Sequence, residues 1–510
     1  MRLHPGLLLV LMLLAPAAAA AQVSGTVFED ANGNGIRDAG ERGIAGVAMS
    51  NGRVIERSAN DGSYAIAARP DGIVFAIKPP DRGFGRRGNG MPAFWREGDG
   101  PRFDVPLSPR RQLRGPMQVL LFTDPQVKSL VDVDYYRRDI VEPLRGTSAT
   151  LGLSMGDIVN DDVSLYPALD AVTATLGVPW LHIAGNHDLD ADATTDAETL
   201  RSFRANYGPD TVAWEEPQAT FIGLDDVIAM PGQRPAYIGG LREDQFAFLE
   251  AYLPTVRRDR LLVLGVHIPF FDTAAPGAPP TFRPADRDRL FTLLRDFPHV
   301  LLLSGHTHNQ MHVFHDAADG WHGARPLHEY NVGAACGAYW SGVKDAAGVP
   351  DSMMSDGTPN GYAELTVRDH GDYALAWHNA RDAADSQIGL HAPKVLRRGA
   401  YPAWGVYANV YMGFDGSRVE YRIDDGDWKP MTKVMAPDPR LLAENFRDDE
   451  ADALRGYDRS PEATPSTHLW RGALATDLVA GSHRVEVRYF DPWRGEQRAA
   501  TTYRLDDAAP

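Results

Sequence analysis

Residues 117–126 read MQVLLFTDPQ, a short apolar run that ends in the polar residues Asp124 and Gln126. The same arrangement recurs four times further along the chain, each time with a different polar ending. These endings are Gly156-Asp157 after TLGLSM, Gly185-Asn186-His187-Asp188 after VPWLHIA, His267-Ile268-Pro269 after LLVLGV, and Gly305-His306-Thr307-His308 after VLLLS. Short apolar runs of this kind predict fully buried β-strands.

Helical patterns separate these predicted strands. Stretches such as YPALDAVTATL (166–176) and PADRDRLFTLLRDF (284–297) carry apolar residues at spacings of three and four. Alternating strands and helices favour parallel units with crossover helices, which predicts an α/β domain over residues 115–380. Because ligands gather at the carboxyl ends of strands in such sheets, we expect the five polar endings to converge.

The converging side chains are of the types that bind divalent metals. Aspartate, asparagine and histidine all occur in the five endings, and two-metal sites catalyse phosphoester hydrolysis. Two cations held close together repel each other, so a carboxylate that bridges them is needed. Asp157 is the best candidate for that bridge.

In order and spacing the five motifs resemble those of the calcineurin-like metallophosphoesterases, in particular secreted bacterial members that carry β-sandwich domains on both sides. Gly-Asn-His-Asp and Gly-His-Thr-His are the most specific of the motifs, and the resemblance covers roughly residues 115–380. It implies a four-layer sandwich in which one metal is bound by Asp124 and His308, the second by Asn186, His267 and His306, and both by Asp157. It also implies direct attack on phosphorus by a hydroxide held between the metals.

Three further motif residues have roles that the resemblance implies. His187 is expected to face the substrate, and Asp188 is expected to hold His187 in orientation. Gln126 departs from the usual pattern, in which a histidine completes the first metal site. Some branches of the family resemble this chain in having Asp-Pro-Gln, so we count Gln126 as a metal ligand. A glutamine oxygen favours harder cations, which leaves the identity of the two metals open among Mn, Mg, Zn and Fe.

Length and composition indicate a multidomain, exported protein. A chain of 510 residues is too long for one core, and a net charge of -17 argues against a broad nucleic-acid-binding patch. Residues 1–21 read as a signal peptide, with Arg2, an apolar stretch and an Ala-rich cleavage region, although an uncleaved interfacial anchor is the alternative. No later segment is apolar enough to span a membrane. We therefore predict a periplasmic or extracellular protein.

Both flanks of the α/β domain have β-type patterns. Residues 23–110 predict a small β-sandwich, and residues 388–510 predict an immunoglobulin-like one. The N-terminal flank contains a candidate calcium loop with oxygen ligands at Asp30, Asn32, Asn34, Ile36 (backbone carbonyl), Asp38 and Glu41. The alternative for this loop is a polar hairpin turn without metal.

The leading functional hypothesis is an exported metal-dependent phosphoesterase that acts on a small-molecule or polymeric phosphomonoester or phosphodiester. The alternative is a surface adhesion or scaffold protein whose phosphatase fold no longer turns over. Gln126 and the two flanking sandwiches motivate that alternative. Metal content discriminates between the two hypotheses, because a degenerate site binds fewer than two equivalents.

Overall fold

The computed structural model describes residues 21–69, 73–96, 100–110, 115–275, 277–383, 386–401 and 404–508. The predicted signal peptide therefore lies outside the described residues, apart from Ala21. The described chain forms a β-rich N-terminal region, a central α/β region and a β-rich C-terminal region.

The N-terminal region consists of two facing sheets. Its strands are Gln22–Glu29 (β1), Ala48–Ser50 (β2), Ile55–Arg57 (β3), Ser63–Ala67 (β4), Val74–Ala76 (β5), Arg82–Phe84 (β6), Trp95–Arg96 (β7) and Val105–Pro109 (β8). They are ordered β4-β1-β8-β6 in one sheet and β3-β2-β5-β7 in the other. Val27 and Ile66 of the first sheet and Met49 and Val74 of the second belong to one buried apolar cluster.

The candidate calcium loop lies in the turn after β1, and its hydrogen bonds hold the predicted ligands together. The Asp30 carboxylate accepts from the backbone N–H groups of Gly33 at 2.8 Å and Gly35 at 2.9 Å. The Asp38 carboxylate accepts from the side-chain amides of Asn32 at 2.7 Å and Asn34 at 2.9 Å. The loop is thus folded by its own donors, and calcium binding there stays a prediction.

The central region has two large sheets, a two-stranded sheet of Val227–Ala229 and Tyr237–Gly239, and five α-helices among its described residues. The strands are Met117–Phe122 (β9), Leu151–Met155 (β10), Trp180–Ile183 (β11), Thr211–Glu215 (β12), Ala219–Leu224 (β13), Val227–Ala229 (β14), Tyr237–Gly239 (β15), Leu261–Gly265 (β16), Val300–Ser304 (β17), Met311–His315 (β18), Leu327–Asn331 (β19), Gly361–Val367 (β20) and Tyr373–Asn379 (β21). The helices are Leu130–Tyr136 (α1), Tyr166–Thr173 (α2), Arg201–Tyr207 (α3), Glu243–Tyr252 (α4) and Pro284–Leu294 (α5).

The strands that precede the polar motifs run parallel in these two sheets. The first sheet has the order β11-β10-β9-β20-β21 and the second has the order β12-β13-β16-β17-β19-β18. Strands β9, β10 and β11 are parallel to one another, as are β13, β16, β17 and β19. The parallel α/β arrangement predicted from the sequence is confirmed.

The two sheets pack face to face and helices cover their outer sides. A Cβ atom on Gly265 of β16 would lie 2.7 Å from Cδ1 of Ile183 in β11, so glycine allows the close approach of the sheets. On the outer sides, Tyr136 of α1 packs against Phe122 of β9, with ring centroids 6.1 Å apart. The helices and sheets together bring the carboxyl ends of both sets of parallel strands to one edge.

The C-terminal region is a second β-sandwich. Its strands are Ile388–His391 (β22), Val395–Arg397 (β23), Gly405–Val410 (β24), Val419–Ile423 (β25), Lys429–Pro430 (β26), Thr432–Pro437 (β27), Pro465–Ala473 (β28), Gly481–Asp491 (β29) and Gly495–Asp506 (β30). They form sheets of order β22-β24-β28-β27 and β23-β30-β29-β25-β26. Helix Pro439–Asp449 (α6) lies in the insert between β27 and β28, and Asp438 caps it by accepting from the Arg440 N–H.

Buried polar contacts join both flanks to the central region. Nζ of Lys78, from the N-terminal region, lies 3.2 Å from Oε1 of Glu216, and the two side chains are 1% and 3% exposed. On the other side, Nε2 of His468 in β28 lies 3.0 Å from Oδ2 of Asp356, which is also buried. Within the described residues no helix is long and apolar enough to cross a membrane.

A buried histidine beside the motif strands makes stability depend on pH. His182 in β11 stacks on Tyr207 with ring centroids 3.9 Å apart, and burial lowers its pKa to about 3. Among the described residues neither of its ring nitrogens has a hydrogen-bond partner. The unfolded histidine takes up a proton near pH 6.5. Stability is therefore lost as the pH falls from about 6.5 towards 3.

We predict that His182→Phe removes part of this acid sensitivity, because phenylalanine keeps the ring stack and binds no proton. In chelator, the melting temperature of the variant relative to the wild type should rise as the pH is lowered from about 6.5 to 4. His322→Phe, at an exposed histidine, is the matched control and should show no such trend. A difference that does not vary with pH would contradict the prediction.

Candidate metal centre

The predicted metal ligands lie in the loops that follow the parallel strands. Asp124 and Gln126 follow β9, Asp157 follows β10, and Asn186 follows β11. The histidines come from the second sheet, with His267 after β16 and both His306 and His308 after β17. Short contacts connect the members of this set across the two sheets.

His267 is at the centre of one group of ligands. Its Nε2 lies 3.1 Å from Oδ1 of Asn186, 3.3 Å from Oδ1 of Asp157 and 3.2 Å from Nδ1 of His306. The ligand atoms of Asp157, His267 and His306 all lie within 4.8 Å of one another, which is close enough for a single cation to contact all three. These are the residues that the resemblance assigns to the second metal.

Asp124 and His308 form the other group. Nε2 of His308 lies 3.5 Å from Oδ1 of Asp124, and both side chains are buried. Gln126 lies beside them, with its Oε1 3.7 Å from the Cys336 thiol, which donates to it. The structure thus places Gln126 next to the first metal set, and its role as a ligand stays a prediction.

Asp157 lies between the two groups. Its Oδ1 faces His267, and its Oδ2 accepts a hydrogen bond of 3.0 Å from Nε2 of Gln126. One carboxylate therefore presents an oxygen to each group, as a bridging ligand must.

Backbone carbonyls fix which nitrogen two of the histidines present to the centre. Nδ1 of His267 lies 2.9 Å from the Met155 carbonyl, and Nδ1 of His308 lies 2.6 Å from the Gly337 carbonyl. A carbonyl only accepts, so each Nδ1 carries a proton, and each Nε2 is the nitrogen whose lone pair the neutral ring would offer to a metal. This is the arrangement in which metal-binding histidines are usually held.

The charges of the cluster call for a cation. Oδ1 of Asp124 is buried and has no hydrogen-bond partner in the described structure, which is costly for a carboxylate oxygen. Burial lowers the pKa of His267, but the Asp157 carboxylate outweighs burial and raises it to about 10. Burial, followed by the neighbouring His267, lowers the pKa of His306 to about 4. His306 is therefore neutral and free to bind a metal, and a divalent metal would take the place of the proton that the Asp157 carboxylate favours on His267.

Several of the predicted metal ligands have a strained, left-handed backbone conformation. Five of the seven predicted metal ligands have positive φ angles: Asp124, Gln126, Asp157, His306 and His308, at 48°, 36°, 50°, 70° and 52°. Residues other than glycine rarely adopt this region, and such strain clusters at functional sites. The left-handed turns redirect each chain sharply at the end of its strand.

Two glycines of the motifs are required by close packing at this point. A Cβ atom on Gly156 would lie 2.3 Å from Nδ1 of His267, and one on Gly185 would lie 2.2 Å from the backbone nitrogen of Asp157. Any side chain at either position would displace a predicted ligand. The glycines in Gly-Asp and Gly-Asn-His-Asp therefore have a direct steric explanation.

The expectation that Asp188 orients His187 is wrong. The buried Asp188 carboxylate accepts from the backbone N–H groups of Ile158 at 3.1 Å and Gly185 at 2.8 Å, so it ties two ligand loops together. The partner of His187 is Asp161, whose Oδ1 lies 2.8 Å from Nδ1 of His187. His187 itself donates its backbone N–H to Asp157 Oδ1 at 2.8 Å.

Sequence reasoning missed a second supporting carboxylate. Asp226, which is buried, accepts from the backbone N–H groups of His267 and Ile268, both at 3.1 Å, and thereby holds the His267 loop. The signal that would have found it is the pair Asp225-Asp226 inside the otherwise apolar stretch FIGLDDVIA. Cys336, beside Gln126 and His308, was also not linked to the centre by any pattern in the sequence.

Comparison with known proteins agrees with this geometry. The family model of the calcineurin-like phosphoesterases matches residues 117–310, and the model of their C-terminal domain matches residues 329–496. Comparison with curated proteins finds no match.

Two solved structures are similar to the chain at low identity. One is the purple acid phosphatase PPD1 from yellow lupin (Lupinus luteus) seeds, with 14% identity, a TM-score of 0.36, and coverage of 71% of this chain and 67% of that one. The other is the protein TT1561 of Thermus thermophilus, with 12% identity, a TM-score of 0.31, and coverage of 52% of this chain and 100% of that one. The two family models span most of the sequence, and the chain belongs to the calcineurin-like phosphoesterases.

Proposed function

We propose that this protein is an exported hydrolase that cleaves phosphomonoesters or phosphodiesters with the help of two divalent metals. The observation that carries the proposal is the buried cluster in which Asp157 lies between His267 and Gln126 and the Asp124 carboxylate lies 3.5 Å from His308. Divalent metals would compensate the charge of the two buried carboxylates and bind the imidazole nitrogens beside them.

The proposed ligands divide between two ions. Asp124, His308 and Gln126 would hold one, Asn186, His267 and His306 the other, and Asp157 both. When bound, a pair of divalent metals supplies Lewis-acid polarisation of the phosphoryl group and activation of water at neutral pH. The donor set of imidazoles, carboxylates and amides suits Mn, Mg, Zn or Fe.

His187 is the residue that we propose acts on the substrate directly. Its side chain is 28% exposed, and its Nδ1 is held by the Asp161 carboxylate. If Nδ1 donates to Asp161, Nε2 is left for the phosphoester. A histidine in that position stabilises charge on the phosphoryl group or protonates the leaving oxygen. Asp161 is then the positioning residue for His187.

The substrate and the location of the protein are further parts of the proposal. We infer a small-molecule or polymeric phosphoester as substrate, and the acidic net charge of -17 argues against nucleic acid. Export rests on the signal-like residues 1–21, and sequencing the N-terminus of protein recovered from the periplasm or medium tests it. An intact Met1 in that protein would contradict cleavage.

We predict that Asp157→Asn lowers metal content below two equivalents and abolishes metal-restored turnover, because the bridging charge is lost. The test strips the protein with chelator and adds Mn, Mg, Zn or Ca singly. Hydrolysis of 4-nitrophenyl phosphate and of its bis-ester is then followed, beside metal analysis and circular dichroism. Asp192→Asn, at an exposed aspartate, is the control and should match the wild type.

The same experiment separates the two hypotheses. Activity that survives in Asp157→Asn would refute the bridging role. Absence of turnover with every metal, together with substoichiometric binding by the wild type, would favour the non-catalytic surface protein.

We predict that His187→Ala lowers kcat by about 10²- to 10⁴-fold, the range typical of lost proton transfer, while metal content stays at the wild-type level. Asp161→Asn should lower kcat less, because it disturbs only the orientation of His187. A His187→Ala protein that loses metal in proportion to activity would show that the residue is structural instead.

A further inference from the structure

Two tyrosines lie beside the metal ligands and have no part in the chemistry described above. The ring of Tyr339 is tilted against that of His308, with centroids 4.8 Å apart. The ring of Tyr237, in β15, meets that of His306 edge-on, with centroids 6.0 Å apart. Each ligand group therefore has one tyrosine next to one of its histidines.

Both tyrosines lie against the candidate metal centre. Nδ1 of His306 lies 3.2 Å from Nε2 of His267, and Nε2 of His308 lies 3.5 Å from Oδ1 of Asp124, so each tyrosine packs on a histidine that contacts another predicted ligand. Both rings are therefore next to the site where the metal pair would hold a phosphoester. Neither is sealed in the core, since Tyr237 is half-buried and Tyr339 is 50% exposed.

The loop that carries Tyr339 is held in a strained conformation. Tyr339 and Trp340 have φ angles of 58° and 55°, a region that such bulky residues rarely adopt. Trp340 fixes the loop by donating from Nε1 to the Pro125 carbonyl at 2.9 Å and from its backbone N–H to the Cys336 carbonyl at 3.0 Å. Burial of the Tyr339 ring does not offset this strain, because the ring is half exposed. The strained conformation therefore points to a role in binding.

From this geometry we propose that Tyr237 and Tyr339 form an aromatic recognition site for phosphoesters whose alcohol carries a planar ring, such as an aryl group or a nucleobase. The inference rests on the proposed function, because the metal pair would hold the phosphoryl group of the same molecule. Aromatic rings bind planar groups by stacking and edge-to-face contact, and a saturated ring of similar size gains less.

The charge around the centre agrees with a substrate of low charge. The exposed Asp161 carboxylate lies beside His187, outside the set of predicted metal ligands. Added negative groups on the alcohol, such as further phosphates, would be repelled where they approach Asp161. Recognition through a neutral planar ring avoids that repulsion.

The test measures binding without turnover. Phenylphosphonate and cyclohexylphosphonate are titrated calorimetrically into the Mn-loaded full chain, since neither is a hydrolysable ester. The expected result is roughly three- to tenfold tighter binding of phenylphosphonate by the wild type. Tyr339→Leu and Tyr237→Leu should each reduce this preference. Tyr339→Phe should keep it, and so should Tyr401→Leu at an exposed tyrosine of the C-terminal region.

Several outcomes would overturn the proposal. These are equal binding of the two phosphonates, binding of neither, a preference that survives in both leucine variants, or a loss in Tyr339→Phe as large as in Tyr339→Leu. If Tyr339→Leu lowers the metal content because Tyr339 packs on His308, the binding preference measured for Tyr237→Leu is the deciding result. Turnover of phosphoesters without the aromatic preference would leave the proposed function standing, whereas the preference without turnover would leave only the recognition site.

Discussion

Asp157 is buried where the carboxyl ends of two sheets meet, with His267 3.3 Å from one of its oxygens and Gln126 3.0 Å from the other. A carboxylate as buried as Asp157 needs hydrogen bonds or positive charge beside it, and His267 and Gln126 lie where they provide them. The glycines of the motifs allow the approach of the chains, and the left-handed turns direct the ligands inward. The glycines, turns and neighbouring side chains around Asp157 thus accommodate its buried charge.

Buried carboxylates also hold the ligand loops in place from behind. Asp188 ties the Asp157 loop to the Gly185 loop, and Asp226 holds the loop of His267. Each accepts hydrogen bonds from backbone N–H groups and so gives the loop a rigid support. Burial raises the pKa of Asp226 to about 8 and that of Asp188 to about 7, which shows how dry these positions are.

A third carboxylate extends this support to the C-terminal region. Asp356 accepts from the backbone N–H of Gln310, two residues after His308, and lies 3.0 Å from Nε2 of His468 in β28. Asn409 of β24 donates to the Asp356 carbonyl at 2.8 Å. The C-terminal sandwich is therefore joined by hydrogen bonds to the segment that presents His306 and His308. This gives a physical reason for the sandwich to accompany the catalytic fold.

The sequence by itself determined the parallel strands and the crossover helices, and it predicted the set of candidate metal ligands that follow those strands. Apolar runs with polar endings follow from burial on both sheet faces, so they are visible without coordinates. Only the tertiary structure decided which side chains support and surround the ligands. Asp161 replaced Asp188 as the partner of His187, and Asp226, Tyr237 and Tyr339 joined the centre, because these contacts form between loops distant in sequence. Sequence periodicity indicates which face of a helix or strand is buried, but it does not indicate which distant loop packs against that element.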